Sequence, residues 1–401
     1  RLKVPSDRIT AAGVQCPRCH NVTQVLAAAI SDSTDAPAAD QVADRKSVMT
    51  GLATDTAADE ILPVNAATVV QRDSSGGPPG NGDTPTRSTY QKIRREIAGL
   101  FVGQDELVLG TLVALFSGGH VLIESVPGLG KTLFVRTLGR ILGCDFSRIQ
   151  FTADLMPSDI TGAPIFNMKT QEFDFRPGPV FTQLLLADEI NRAPAKTHAA
   201  LLEIMQEKNV TIDGTTHELE PPFLVLATQN PIESEGTYNL PEAQLDRFMF
   251  KLVADYPGEQ EEAQILELHS GQTDLNHRLE TEIGGVVSPA EIVRITQDNS
   301  QVRIDSSLLE YINRIVRLTR TWPQFFMGAS PRAGLCLVQG ARTLAAFQGR
   351  DYAVPDDVVT LAVPALRHRV MLTAEAEVEG QTVDQLLGEL IRSVEVPRIK
   401  P

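Results

Sequence analysis

An apolar run, His120-Val-Leu-Ile123, leads directly into Glu124-Ser-Val-Pro-Gly-Leu-Gly-Lys-Thr132, and a helical period over Lys131–Leu142 begins at its end. A buried strand that bends through glycines straight into a helix is the opening of a parallel α/β unit. The bend leaves the first helical amides without intrahelical partners, and together with the helix dipole they form a site for phosphate oxygens. Gly128 and Gly130 let the backbone turn those N–H groups toward such a ligand. Lys131 would reach the β- and γ-phosphates of a nucleotide, and Thr132 would ligate Mg2+. The candidate phosphate-binding stretch is Ser125, Val126, Pro127, Gly128, Leu129, Gly130, Lys131 and Thr132. Ser125 stands where the strict pattern has glycine, but the tightest backbone approach falls at Gly130-Lys131-Thr132.

The surrounding chain supports an α/β fold with a parallel sheet. Further short apolar runs lie at Arg148-Ile-Gln-Phe151, Gln183-Leu-Leu-Leu-Ala187, Phe223-Leu-Val-Leu-Ala227 and Phe248-Met-Phe-Lys-Leu252, with helical periods between them, notably Ala195–Glu207. Two hairpins interrupt the alternation: Ile160–Phe175, turning at Asn167–Thr170, and Val210–His217, turning at Asp213-Gly214. The run Leu184-Leu-Leu-Ala-Asp188-Glu189 ends in adjacent carboxylates, which places both at the C-terminal edge of the sheet, where ligands of such sheets bind. Asp188 would hold the shell of Mg2+, and Glu189 would orient and polarise an attacking water. Asn230, ending the run Phe223–Gln229, could donate to a γ-phosphate or to that water; an ordinary strand end with a turn-forming Asn-Pro is the alternative. Arg247 and Arg332 carry no more weight by themselves than surface ion-pair residues.

From about Ser288 the chain reads helical to its end. Ser288-Pro-Ala-Glu291 is a capping box, and Leu308–Trp322, Ser330–Gln348, Pro355–Leu366 and Thr382–Val394 read as successive helices. Trp322 is expected in their core. The other end of the chain has a different composition. Residues 28–87 are rich in Ala, Asp, Ser, Thr, Gly and Pro, which predicts a disordered linker, because such a stretch buries too little apolar surface to offset its ordering entropy. The expected divisions are therefore 1–27, a partial zinc-ribbon-like segment; 28–87, linker; 88–255, the α/β domain; 256–290, a connector; and 291–401, a helical lid.

The N-terminal segment holds Cys16-Pro-Arg-Cys19-His20, a single zinc knuckle, whereas zinc takes four ligands. Leu2–Ile9 before it and Val22–Val25 after it resemble the second half of a short bacterial zinc ribbon. The first knuckle would fall before Arg1, so an incomplete N-terminus is expected, with Cys16 and Cys19 as candidate Zn2+ ligands. A haem c attachment site and an unmetallated stub are the rival readings. Cys144 and Cys336 sit among apolar neighbours as buried thiols. Four cysteines make no disulfide framework, no secretory signal is visible, and no apolar run approaches the roughly 18 residues that span a bilayer, so a cytoplasmic protein is expected.

Several long stretches resemble one family. These are Gln150-Phe-Thr-Ala-Asp-Leu-Met-Pro-Ser-Asp-Ile-Thr-Gly162, Phe175-Arg-Pro-Gly-Pro-Val-Phe181, Ala187-Asp-Glu-Ile-Asn-Arg-Ala-Pro194, Ala199-Ala-Leu-Leu-Glu-Ile-Met-Gln-Glu207 and Ala227-Thr-Gln-Asn-Pro-Ile-Glu-Ser-Glu-Gly-Thr-Tyr-Asn-Leu-Pro-Glu-Ala-Gln-Leu-Asp-Arg-Phe248. From about Val102 to Arg369 the chain is similar to the MoxR-family AAA+ ATPases. The resemblance implies an αβα sandwich followed by a small helical lid, with ATP and Mg2+ as ligands. It implies that Val102, Gly103 and Gln104 line the adenine pocket, that Asn230 is the first sensor and Arg332 the second, and that Arg247 is an arginine finger reaching a neighbour's ATP. Hairpins are implied at 160–175 and 208–219. Family members form rings, usually hexamers, and mature or activate partner complexes, often with von Willebrand A domain proteins. A finger supplied by a neighbour can contribute roughly 10³–10⁵ in rate, which makes hydrolysis conditional on assembly.

Three other readings compete. A nucleic-acid motor of the MCM type would carry basic hairpins, whereas these offer Lys169 and Lys208 against Glu172, Asp213 and Glu218, in a chain of net charge −15. A nucleotide-dependent platform with negligible hydrolysis and a magnesium-chelatase-like metal-insertion motor share the same site residues.

Overall fold

The computed structural model describes residues 84–397 except Pro127, 232–237, 239, 271–278 and 280–283, together with the strand residues 9–10, 13–15 and 22–23. The chain divides into two units, Arg1–Leu62 and Pro63–Pro401. In the first, β1 (Ile9–Thr10), β2 (Gly13–Gln15) and β3 (Val22–Thr23) pair antiparallel in that order. Cys16 and Cys19, and the linker up to residue 83, lie outside the described residues.

The second unit opens with α1 (Pro85–Ala98). Thr84 caps it, accepting from Arg87 N at 3.2 Å, and Pro85 occupies the first turn. The helix therefore starts inside the stretch read as linker, because a hydroxyl cap followed by proline outweighs the polar composition around it. Then follow α2 (Asp105–Leu115), β4 (Val121–Ser125), α3 (Lys131–Leu142), β5 (Phe146–Gln150), α4 (Pro157–Thr161), β6 (Gly162–Asn167), β7 (Glu172–Pro177), β8 (Leu184–Asp188), α5 (Ala195–Glu207), β9 (Asn209–Ile212), β10 (Thr215–Glu218), β11 (Leu224–Gln229), α6 (Glu242–Leu245) and β12 (Phe250–Ala254).

All five apolar runs form strands of one parallel sheet, ordered β12-β4-β11-β8-β5. Successive side chains point to opposite faces, so both faces must be covered. Val121 and Ile123 pack with Leu184, Leu186 and Leu226 in the layer of α1, α2 and α3. Leu122, Leu185, Ala187 and Val225 pack with Leu201, Leu202 and Met205 of α5 on the other side. The result is the αβα sandwich. Leu184, Leu185 and Leu186 are fully buried, each worth roughly 2 kcal/mol of burial. Two antiparallel hairpins, β6–β7 and β9–β10, stand outside the sheet, the second turning on Asp213 (φ 49°) and Gly214 (φ 79°).

Helix α7 (Glu259–Ser270) occupies part of the stretch read as a connector. The lid comprises α8 (Pro289–Ser300), α9 (Ser306–Leu318), β13 (Phe325–Met327), α10 (Pro331–Phe347), α11 (Pro355–Leu366), β14 (Met371–Leu372), α12 (Ala374–Val378) and α13 (Val383–Ser393). The Ser288–Glu291 capping box forms in both directions. The β13–β14 pair departs from the all-helical reading: strands this short carry no periodicity, and only the fold brings Phe325 opposite Leu372. Cys144 and Cys336 are buried and unbridged, and Trp322 packs against the lid core. Among the described residues no helix is long and apolar enough to cross a membrane.

Arg369 joins the lid to the sandwich. Its side chain is 1% exposed, and its guanidinium donates to Asp246 Oδ1 (2.7 Å), to the carbonyls of Asp246, Phe248 and Met249, and to Ala365 O near the end of α11. Every N–H of the group thus has an acceptor, the condition under which a buried cation is tolerated.

His120 pins the start of β4. Val225 N–H donates to its Nδ1 (3.1 Å), so the ring proton is on Nε2, which donates to Met205 O (3.0 Å). Burial lowers its pKa to about 4. Because the unfolded chain then takes up the proton first, His120 stabilises the fold fully above its ordinary pKa of 6.5, and that contribution drains away as pH falls toward 4. Between pH 7 and 5 the expected loss is about 2 kcal/mol. Denaturant midpoints measured across that range should show a flatter slope in His120→Asn than in the parent by this amount.

Candidate functional site

The C-terminal edge of the sheet gathers the charged strand ends. Strand β4 stops at Ser125, the chain turns through Gly128 (φ 89°) and Gly130 (φ 71°), and α3 begins at Lys131. Both glycines need the left-handed region, where a Cβ costs about 1–2 kcal/mol. Gly130 is the cap of α3 and has no side-chain capping bond, so the first-turn amides keep their anion-binding role. Lys131 Nζ donates to Ser125 Oγ at 2.6 Å. The serine that breaks the strict pattern thus holds the lysine. Burial lowers the Lys131 pKa, and the charges of Asp188 and Glu189 oppose that shift, which puts the amine and both acids in one electrostatic neighbourhood.

Asp188 ends β8, next to β11 and β5, and Glu189 follows it. Asp188 is buried, its Oδ1 accepting from Thr228 Oγ1 (2.6 Å) and its Oδ2 from Arg148 Nη2 (2.6 Å) and Nε (3.2 Å). Glu189 adopts a left-handed conformation, φ 56° and ψ 50°. Its N–H donates to Thr228 Oγ1 (2.9 Å), while its carboxylate takes Gln150 Nε2 (2.7 Å) and Arg192 Nε (3.0 Å). One threonine therefore sets both acids. A non-glycine residue held in this region at the cleft is strain of the kind stored at functional sites. Asn230 is buried just past β11.

The oxygen donors suit a hard cation. Thr132, one residue into α3, and Asp188 provide a hydroxyl and a carboxylate, and Mg2+ characteristically takes few protein ligands while keeping phosphate oxygens and water. Among the described residues there is no cluster of three or more His, Cys, Asp or Glu placed to hold a metal. His198 instead bonds Ile190 O, at 2.5 Å.

Val102, Gly103 and Gln104 lie between α1 and α2, beside the loop: the Phe101 ring is 3.7 Å from where a Gly130 Cβ would sit. Gln104 Nε2 donates to Asp255 O at 2.6 Å, and the Glu261 carboxylate lies against Gly103.

A model of the ATPase family associated with various cellular activities matches residues 120–250, and an AAA lid domain model matches 317–390. Over 333 residues the chain is 42% identical to chaperone MoxR1 of Mycobacterium tuberculosis, covering 80% of this chain and 86% of that one. The chain belongs to the MoxR family of AAA+ ATPases. It is also 46% identical over 306 residues to YeaC of Bacillus subtilis, covering 76% of this chain and 94% of that protein. A solved protein from Cytophaga hutchinsonii superposes with a TM-score of 0.72 at 41% identity, covering 78% and 96% of the two chains.

In this MoxR-family chain the two candidate arginines bond residues outside the phosphate loop. Arg247 Nη1 donates to Leu202 O of α5 (2.7 Å), in the layer opposite α3. Arg332, at the start of α10, points at Asp246 Oδ2 across 3.9 Å, and Ser330 Oγ also donates to that carboxylate (2.9 Å). Asp246, adjacent to Arg247 in sequence, so collects the lid residues Ser330, Arg332 and Arg369. Asp246, Arg369, Thr228, Arg148 and Gln150 were not singled out from the sequence. For the last two a signal exists: Arg148 and Gln150 are polar residues at i and i+2, hence on one face of a strand beside the acidic one.

Replacing Lys131 with Ala should weaken ATP affinity by about 10–100-fold, the value of a charge-assisted bond. Calorimetric titration checks this, and an unchanged affinity would contradict the assignment.

Proposed function

We propose that this protein is an Mg2+-dependent ATPase that assembles into a ring, a hexamer in the form usual for its family, and uses hydrolysis to remodel, mature or activate partner proteins. The observation that carries the reading is that Lys131, at an uncapped helix N-terminus after β4, shares the C-terminal edge of the parallel sheet with Asp188 and Glu189, close enough for their charges to act on its amine. Backbone amides from Gly128 to Thr132 would cradle the phosphates of ATP, with Val102, Gly103 and Gln104 at the base. Lys131 would exchange Ser125 Oγ for a phosphate oxygen. Thr132 and Asp188 would hold Mg2+, which when bound neutralises charge developing on the transferred phosphate. Glu189 would orient the attacking water, its strained backbone fixed by Thr228, while Asn230 reads the γ-phosphate. Arg332 would sense the nucleotide from the lid, and Arg247 would reach a neighbouring subunit's ATP. Such a finger makes turnover depend on assembly.

A protein client is favoured over nucleic acid. The exposed side chains of the β6–β7 hairpin include Ile165, Phe166, Met168 and Phe173, and the chain carries net charge −15. Apolar side chains suit protein surfaces and offer a phosphate backbone nothing. A relative bears the name chaperone, which agrees with this role. A cytoplasmic location and a von Willebrand A domain partner belong to the same proposal.

Two variants test it. Glu189→Gln should retain ATP binding and lose turnover by about 10²–10⁴-fold, the usual value of a positioned base; undiminished phosphate release would remove Glu189 from its role. Arg247→Ala should cost roughly 10³-fold or more in turnover with little change in ATP affinity. Parent activity per subunit should also climb with protein concentration.

A further inference from the structure

Asp188 is the carboxylate on which the proposed metal shell depends, yet both its oxygens are engaged within the chain. Oδ1 accepts from Thr228, and Oδ2 accepts two N–H groups of Arg148. Arg148 lies on β5, the edge strand beside β8, opposite Leu186 and two residues short of the Gln150–Asp188 pair, so its side chain reaches along the strand to the sheet rim. Its second anchor is Gln150 Oε1, at 2.9 Å. The two ends of the ion pair differ in environment: the Arg148 side chain is 46% exposed, that of Asp188 only 12%. The cation therefore has a route into water that the carboxylate lacks.

Two other carboxylates at the rim have their own cations. Glu189 is held by Arg192, and Glu124 by Lys251 at 2.8 Å. Arg148 is thus the cation in direct contact with Asp188, with Lys131 acting on the same carboxylate from beside Ser125, and an unpaired carboxylate so nearly buried would be costly. A divalent cation drawn to Thr132 and Asp188 would bring a second positive centre to the same carboxylate, and like charges at that range repel. The half-exposed arginine is the partner free to leave.

We propose that Arg148 is the resident counter-cation of Asp188: it occupies the carboxylate in the metal-free site and yields it to Mg2+. This rests on the Mg2+–nucleotide reading above. Arg148 is a positioning residue acting through Asp188. Its effect is to soften the metal requirement for nucleotide binding. With Arg148 in place, a metal-free polyphosphate meets a neutralised rim. Without it, the phosphates face a carboxylate that keeps only its Thr228 hydrogen bond, and binding then depends more on the metal.

The test measures ADP affinity by equilibrium titration, in EDTA and in saturating Mg2+, for the parent protein and for Arg148→Gln. ADP avoids turnover, so the readout is binding alone. The dissociation constant in EDTA divided by that in Mg2+ should rise about tenfold in Arg148→Gln, chiefly through weaker metal-free binding, and Arg148→Lys should restore most of the parent ratio. An unchanged ratio, or equal loss of affinity in both conditions, would make Arg148 a purely structural prop and overturn the proposal. Should Arg148→Gln fail to fold, Arg148→Met keeps the aliphatic stem, removes the charge and is read against the same two outcomes. In the background of Asp188→Asn, Arg148→Gln should leave the ratio unmoved, since there is no carboxylate to neutralise. If the parent itself bound no ADP in either condition, the nucleotide reading would fail instead, a result distinct from any of these.

Discussion

A parallel sheet covered on both faces leaves its strand ends as the places where polar groups can collect, and in this protein everything chemical follows from that. Strands β4, β8 and β11 run in the same direction, so Ser125, Asp188 and Gln229 finish along one rim. Their interiors are leucine, isoleucine, valine and alanine with no exposure. In these three strands the charged residues stand toward the C-terminal ends. The helix that follows β4 starts at the same rim, which puts a cation-bearing anion site on the same sheet edge as two acids.

The rim is satisfied internally. Lys131 rests on Ser125, Asp188 on Arg148 and Thr228, Glu189 on Gln150 and Arg192. Buried or half-buried charges need such partners whenever a ligand does not provide them. In the proposed reading, binding a nucleotide is therefore in part an exchange of partners: the contacts that Lys131 and Asp188 make with phosphate and metal replace ones that already exist, while the uncapped amides of α3 gain new ones. Affinity reflects the difference between the two sets.

A second centre lies at the Asp246–Met249 turn. Arg369, coming from the end of α11, saturates its donors on that turn, and Ser330 and Arg332 of α10 meet the same aspartate. The proposed finger, Arg247, sits within it. The lid thus grips the residue that precedes Arg247, whose own guanidinium turns the other way, to Leu202 O of α5.

The five strands, the helices from Lys131 and Ala195, and both hairpins were legible along the chain, because burial on two faces and a turn such as Asp213-Gly214 imprint local patterns. Lys131, Thr132, Asp188 and Glu189 were legible for the same reason: a glycine bend and a paired acid are contiguous features. The β13–β14 pair was not, being too short for any period, nor was the start of α1, hidden in a polar stretch. Sequence by itself determined the five sheet strands and the helices between them, which polar residues end those strands, and the family. Only the tertiary structure decided that Ser125 holds Lys131, that Thr228 sets both acids, that Arg148 neutralises Asp188 and that Arg369 grips the turn before the lid. Those partners lie as few as 6 and as many as 123 positions apart, and a charge finds its counter-charge by proximity in space, which strand order and layer packing create and no local pattern records.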